Sequence, residues 1–107
     1  MLKAFAVYDA KAEAYGTPMF VSNNGIAVRG FVDAARDPQS PIGRHPEDYV
    51  LYEIGSYDPK SGQLVDTSPA IHIMSAAAAV AAVEAERSKR EPMLSEMDKS
   101  RKVSEVQ

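Results

Sequence analysis

The chain has 107 residues, of which 45% are hydrophobic and 25% are charged, a balance typical of one small soluble domain. It contains no Cys, which excludes disulfides, thiolate metal sites and a Cys nucleophile, and its net charge of −3 argues against a histone-like DNA condenser. With no Trp and 3 Phe, the core must rely on Ala, Val, Ile, Leu and Met, and self-association would protect so thin a core.

The first 21 residues predict two short strands joined by a turn. Residues 3–8 (KAFAVY) are rich in residues that favour β-structure. Residues 17–21 (TPMFV) follow the same pattern, with Pro18 at the start, where a strand tolerates it. Residues 9–16 are few and end at Gly16, so we expect a connection or a single turn between the strands.

Residues 25–36 predict the best-defined helix. Its apolar residues recur at helical spacing, as expected for a stripe that packs on a sheet. They are Val28, Phe31, Val32 and Ala35. The polar run 22–24 (SNN) offers N-cap side chains, and the Asp-Pro pair at 37–38 ends the helix because a proline ring disfavours helical geometry at the residue before it.

A long β-hairpin is predicted after a polar loop at residues 38–48. Residues 49–57 (YVLYEIGSY) predict the longest strand, and residues 63–65 (QLV) return as its partner. Between them, the Pro and Gly of residues 58–62 (DPKSG) predict a tight turn. Residues 67–69 (TSP) should break the partner strand, because a proline cannot donate to the ladder.

The last third of the chain predicts a helix and a tail. Residues 70–74 (AIHIM) form another strand or begin the next element. Residues 75–90 are Ala-rich and end in basic side chains, which suit the helix dipole, and Pro92 stops the helix. Residues 93–107 mix charges with scattered apolar residues, which indicates a frayed or disordered tail.

These elements together predict the α+β class. We expect a small antiparallel sheet of about four strands, with the helix of residues 25–36 packed on one face and an Ala-rich C-terminal helix. Residues 1–91 form the single domain, and residues 92–107 form a charged, flexible tail. The longest apolar run, residues 70–83, is too short and too Ala-rich to span a bilayer, so we expect a soluble protein with no membrane contact.

No enzyme, cofactor or metal site is predicted. The chain has no G-x-S-x-G, H-E-x-x-H or P-loop motif. His45, beside Glu47 and Asp48, could bind a metal or act in acid–base chemistry. No second His stands at ligand spacing, which favours a surface loop in which Pro46 fixes the start of the next strand. His72 is expected on the solvent side of a strand or as a satisfied core residue.

Nucleic-acid binding is another candidate function. Proteins that bind single strands place aromatic rings for base stacking beside cations that follow the backbone. Residues of both kinds that lie on or near predicted strands are Lys3, Tyr8, Lys11, Tyr15, Arg44, Tyr52, Tyr57 and Lys60. Tyr52 and Tyr57 differ in strand parity, so we expect them on opposite faces, with only one of them against DNA. The alternative is that these aromatic residues serve ordinary core and cross-strand packing.

Five motifs lie in series along residues 3–66. They are the opening of residues 4–15 with 18–20 (AFAVYDAKAEAY, PMF), then 25–31 (GIAVRGF), 37–38 (DP), 45–49 (HPEDY) and 51–58 (LYEIGSYD). In order and spacing they resemble the nonstructural protein of gokushovirus-type Microviridae, which are small single-stranded DNA phages. The Ala-rich helix and the charged tail lie beyond this resemblance.

The resemblance implies a protein made in the bacterial host cytoplasm and absent from the virion. The resemblance also implies a role at the point where replication turns to making and packaging single-stranded genomes, and it implies no catalytic residues. We therefore expect a non-catalytic accessory protein that binds single-stranded DNA and forms homo-oligomers, with viral or host replication proteins as further partners. The main alternative is a self-associating adaptor that binds a viral or host factor without touching DNA. A small enzyme or metal protein centred on His45 is a distant third.

Overall fold

In the computed structural model, which describes residues 1–87, the chain folds into an antiparallel five-stranded sheet with helices on one face. The strands are β1 (Leu2–Asp9), β2 (Ala14–Tyr15), β3 (Met19–Val21), β4 (Tyr49–Asp58) and β5 (Gln63–Ser75). The helices are α1 (Asn24–Arg36), α2 (Pro41–Arg44), a 3-10 turn (Pro46–Asp48) and α3 (residues 76–87). The predicted α+β class is confirmed. The end of the predicted C-terminal helix and the tail of residues 92–107 lie outside the described residues.

β1 lies in the interior of the sheet. It pairs with β4 along its length on one side, and on the other side with β3 near its start and β2 near its end. β4 pairs in turn with β5. The sheet therefore has one edge made of strands of 2 and 3 residues and another made of a single strand of 13 residues.

The core lies between the sheet and α1. This helix begins after Asn23, whose side-chain oxygen accepts a hydrogen bond from the Ile26 N–H at 3.0 Å. It ends at Arg36, before the Asp-Pro pair, as the sequence predicts. Three large side chains are fully buried, and alanines fill the other positions of the main cluster. The cluster comprises Phe5, Ala27, Phe31, Ala35, Leu51, Ala76 and Ala79. The core is thin, as predicted, but its composition differs from the prediction. Two of its three large side chains are Phe, and the Val, Ile and Met residues that pack against it are only partly buried.

Two stretches differ from the sequence prediction. The polar loop of residues 38–48 contains α2 and the 3-10 turn, because Ser40 caps α2 by accepting a hydrogen bond from the Gly43 N–H at 2.9 Å. The partner strand does not end at residues 67–69 but continues as β5 to Ser75. The register shifts there, and Pro69 costs little because β5 is an edge strand.

The hairpin turn between β4 and β5 forms as predicted. Asp58 accepts a hydrogen bond at its backbone oxygen from the Gly62 N–H at 2.7 Å, and Gly62 has a φ of 75°, a value that glycine adopts without strain. None of the helices within residues 1–87 combines the length and the apolar character needed to cross a bilayer.

Candidate nucleic-acid interface

The sheet face opposite the helices is lined by aromatic side chains. On β1 the side chain of Phe5 points to the core, so the even-numbered residues point the other way, together with their cross-strand partners. We call this surface the aromatic face, and it consists of Tyr8, Tyr15, Phe20, Tyr52, Tyr57 and His72.

Part of this surface is a row of rings that crosses the strands. The Tyr15 ring centroid lies 4.9 Å from that of Tyr8 and 5.7 Å from that of Tyr52. Tyr52 in turn lies 5.7 Å from His72, which is solvent-exposed as the sequence allowed. Each pair meets edge to face, an arrangement that contributes about 0.5–1.5 kcal/mol per aromatic pair. The rings therefore hold one another in position.

A second aromatic pair lies further along β4. Phe20 is 44% exposed, and its ring centroid lies 5.7 Å from that of Tyr57. Between these two rings, Ala4 pairs with both Phe20 and Gly55. A shallow cavity over Ala4 and Gly55 reaches Leu64 of β5. At this end of the aromatic face, the small residues Ala4 and Gly55 thus lie at the bottom of the cavity, and the Phe20 ring lines its side.

A β-bulge places Tyr52 and Tyr57 on the same face, so the prediction of opposite faces is wrong. The register between β1 and β4 shifts at Ile54, which has no partner on β1. One extra residue reverses the alternation beyond it, and a count of strand parity across the bulge therefore fails. Gly55 was the signal in the sequence, because a glycine inside a strand often marks a bulge or a close backbone approach. A Cβ there would collide with the Val65 carbonyl oxygen.

Tyr15 reaches the row because Asp9 closes a turn after β1. The Asp9 Oδ1 accepts hydrogen bonds from the backbone N–H groups of Lys11, at 3.0 Å, and Ala12, at 3.3 Å. The chain then returns, and Tyr15 pairs with Tyr8. The predicted turn is present, and it is followed by the two-residue β2 that the sequence pattern did not indicate.

The predicted cations are not gathered around the tyrosines. Lys3 points to the helix side, where its Nζ lies 3.6 Å from the Glu53 carboxylate. Arg44 ends α2, which packs beside α1 on that same side. Lys11 and Lys60 lie in the turns after β1 and β4, at opposite ends of the aromatic face. The structure therefore brings the four predicted tyrosines together and leaves two of the predicted cations at the margins.

Two titratable groups near the ends of β4 have shifted pKa values. Partial burial, followed by the charge and the hydrogen bond of the Asp9 carboxylate, raises the pKa of the Tyr49 phenol above 10.0. The Lys60 N–H and the Ser61 hydroxyl, both 3.0 Å from the Asp58 carboxylate, lower the pKa of that group below 3.8. At neutral pH Tyr49 is therefore neutral, and an ionised Asp58 holds the turn that carries Lys60.

A cluster of His45, Glu47 and Asp48 lies in the 3-10 turn. Their ligand atoms lie within 4.8 Å of one another, and the His45 Nδ1 is 4.0 Å from the Glu47 Oε1. The side chains of His45 and Glu47 are 63% and 67% exposed. A Ca²⁺ or Mg²⁺ ion takes about six or more ligands, and these residues offer three. Their proximity follows from neighbouring positions in one tight turn.

Comparison with known proteins identifies a phage family. Residues 2–79 match the family described as Phage ORF5 protein, a range that includes all five strands and α1. No curated protein and no solved structure gives a significant match. The family description indicates a phage protein, and the narrower resemblance to gokushoviruses stays an expectation. Because the match extends over well more than half of the sequence, the chain belongs to the Phage ORF5 protein family.

Proposed function

We propose that this phage protein is a non-catalytic accessory of genome replication and packaging, and that its aromatic face binds single-stranded DNA. The observation that carries the proposal is the presence of Tyr8, Tyr15, Tyr52 and Tyr57 on one sheet face, on the side away from the helices of residues 1–87. Bases stack on aromatic rings with little regard to sequence, which suits a protein that handles a whole genome. The resemblance to single-stranded DNA phages supports the same ligand and a site of action in the bacterial cytoplasm.

The geometry supports stacking more than ion pairing. Tyr15 and Phe20 are 49% and 44% exposed, so a base can reach a ring that its neighbours already hold in place. Ordering such a ring on binding costs little, because its freedom is already reduced. In this proposal, Lys11 and Lys60, in the turns at the two ends, supply the phosphate contacts. With two such contacts, the logarithm of the single-strand affinity should fall with the logarithm of salt concentration at a slope of about −1.4.

The test is titration of labelled single- and double-stranded oligonucleotides by fluorescence anisotropy at two salt concentrations. We expect Tyr52→Leu and Tyr57→Leu each to weaken single-strand binding by about 1–3 kcal/mol, or roughly 5- to 150-fold. Tyr49→Leu is the matched control. It removes the same ring from the same strand, but Tyr49 packs against the core on the helix side, so the affinity should not change.

Thermal melts must first show that each variant is folded at the temperature of the titration. Equal losses of affinity in Tyr49→Leu and Tyr52→Leu would mean that the aromatic face is not the binding surface. A slope much steeper than the expected value would mean that cations elsewhere in the chain carry the affinity instead.

The second candidate is a self-associating adaptor that binds a viral or host factor and makes no contact with DNA. Within residues 1–87, no Lys or Arg occupies a strand position of the aromatic face, and the chain as a whole has a net charge of −3. One acidic residue, Asp66, does occupy such a position, as the register partner of Gly55. Aromatic residues are enriched at the centres of protein interfaces. If the wild-type protein ignores single-stranded DNA even at low salt, the adaptor replaces the DNA-binding proposal.

A further inference from the structure

The two edges of the sheet differ in how well they are protected against pairing with another chain. One edge is broken into β2 and β3, of 2 and 3 residues, and Pro18 lies between them. Short strands and prolines are devices by which proteins prevent edges from pairing with other chains. β5 has 13 residues and, among the described residues, pairs with β4 alone. Pro69 interrupts its middle. Residues 70–75 contain no proline, although the register with β4 shifts there by one residue at Ile73.

The β5 edge also lies in a segment that has no charged side chains. Residues 67–83, which include the second half of β5 and most of α3, contain no Lys, Arg, Asp or Glu, although 25% of the chain is charged. Edge strands in monomeric proteins commonly carry a Lys or another charge that repels a second strand. Residues 70–75 instead present Ile71, which is 47% exposed. Among residues 1–87, the backbone groups on the outer side of this segment have no strand partner, and the segment also offers an apolar side chain.

We infer that a second copy of this chain pairs with β5, antiparallel, through residues 70–75. In an antiparallel pair about a twofold axis, the same segment of each copy forms both halves of the interface. The backbone donors and acceptors of one copy then bond to those of the identical segment in the other. Each copy has a net charge of −3, and the uncharged segment is a place where two copies can meet without repulsion. A partner recognised by opposite charge would find no charge there.

The pairing joins the two sheets edge to edge, with both sets of helices on one side. The aromatic row ends at His72, on the strand that forms the junction, so the rows of the two copies continue into one another. A twofold axis perpendicular to the sheet keeps both aromatic faces on the same side. This inference concerns β5 and does not depend on DNA binding.

The test is the mass of the full-length protein in solution, measured without DNA by light scattering and sedimentation over a range of concentrations. We expect a dimer for the wild type and a monomer for Ile71→Lys. Antiparallel pairing of residues 70–75 sets position 71 of each copy opposite position 74 of the other, so the variant places a charge in two apolar contacts. Glu53 is the register partner of Ile71 on β4 and can pair with the new Lys within one copy, so the fold should persist. Ile26→Lys, on α1, is the control, since Ile26 is also 47% exposed, and this variant should stay dimeric.

A second measurement covers the case in which Ile71→Lys does not fold. The chain has no Cys, so Ile71→Cys gives a single site for a pyrene label. Excimer fluorescence is expected when the two labels meet across the junction. A monomeric wild type at all concentrations would overturn the inference. A dimer that persists in Ile71→Lys and shows no excimer would overturn it as well, because the copies would then meet elsewhere.

Discussion

Replacing Phe31 by Ala should remove a large part of the stability of the fold. Phe31 is 2% exposed and is one of three large side chains that are fully buried, the others being Phe5 and Leu51. The remaining buried positions of the cluster are alanines, which are too short to move into the space that the ring leaves. Larger neighbours such as Met19 and Met74 border the cluster and can fill only part of the space, so the cost should lie within the range of about 3–5 kcal/mol for such a change.

That cost is large beside the total stability of a small domain, which is on the order of 5–15 kcal/mol. Urea unfolding followed by circular dichroism should show a much lower midpoint with an unchanged slope. Phe20→Ala is the matched control, because it deletes the same ring where Phe20 is 44% exposed, and about 1 kcal/mol is expected there. If both variants lost the same stability, or if Phe31→Ala melted like the wild type, the helix face would not pack as described.

Two further changes test the β4–β5 hairpin. Gly55→Ala should lower the melting temperature, because the added Cβ would collide with the Val65 carbonyl oxygen. Gly30 lies in α1, and nothing lies within 4 Å of where its Cβ would be, so Gly30→Ala should raise the stability by about 0.5–1 kcal/mol. An equal rise for both would contradict the close approach. Asp58→Asn should lower the stability at neutral pH and reduce the loss of stability on acidification. The reason is that the pKa of Asp58 lies below 3.8 in the folded state, so its contribution to stability disappears as the pH falls through that folded pKa. Urea titrations at about pH 7 and about pH 3 measure this, and parallel pH profiles of variant and wild type would refute it.

Local signals in the sequence were enough to locate the helix and the hairpin. The limits of α1 follow from the Asn23 cap and the Asp-Pro pair at its end, each of which acts within one turn of chain. The turn between β4 and β5 follows from Gly62, because a glycine tolerates a positive φ whatever its tertiary surroundings. The α+β class also follows from composition and spacing and is confirmed. Composition predicted a thin core as well, but it did not indicate that two Phe would be among its three large side chains.

The tertiary structure alone determined which side chains share a face. Tyr52 and Tyr57 meet on the aromatic face because β4 bulges at Ile54, and that bulge exists only in the pairing of β4 with a strand 40 or more residues away. The same register turns Lys3 toward Glu53 and away from the tyrosines. The alternation of side chains along one strand is a local rule. The register between distant strands depends instead on bulges, on sheet edges and on the core that the strands enclose, and no single segment of the sequence contains that information.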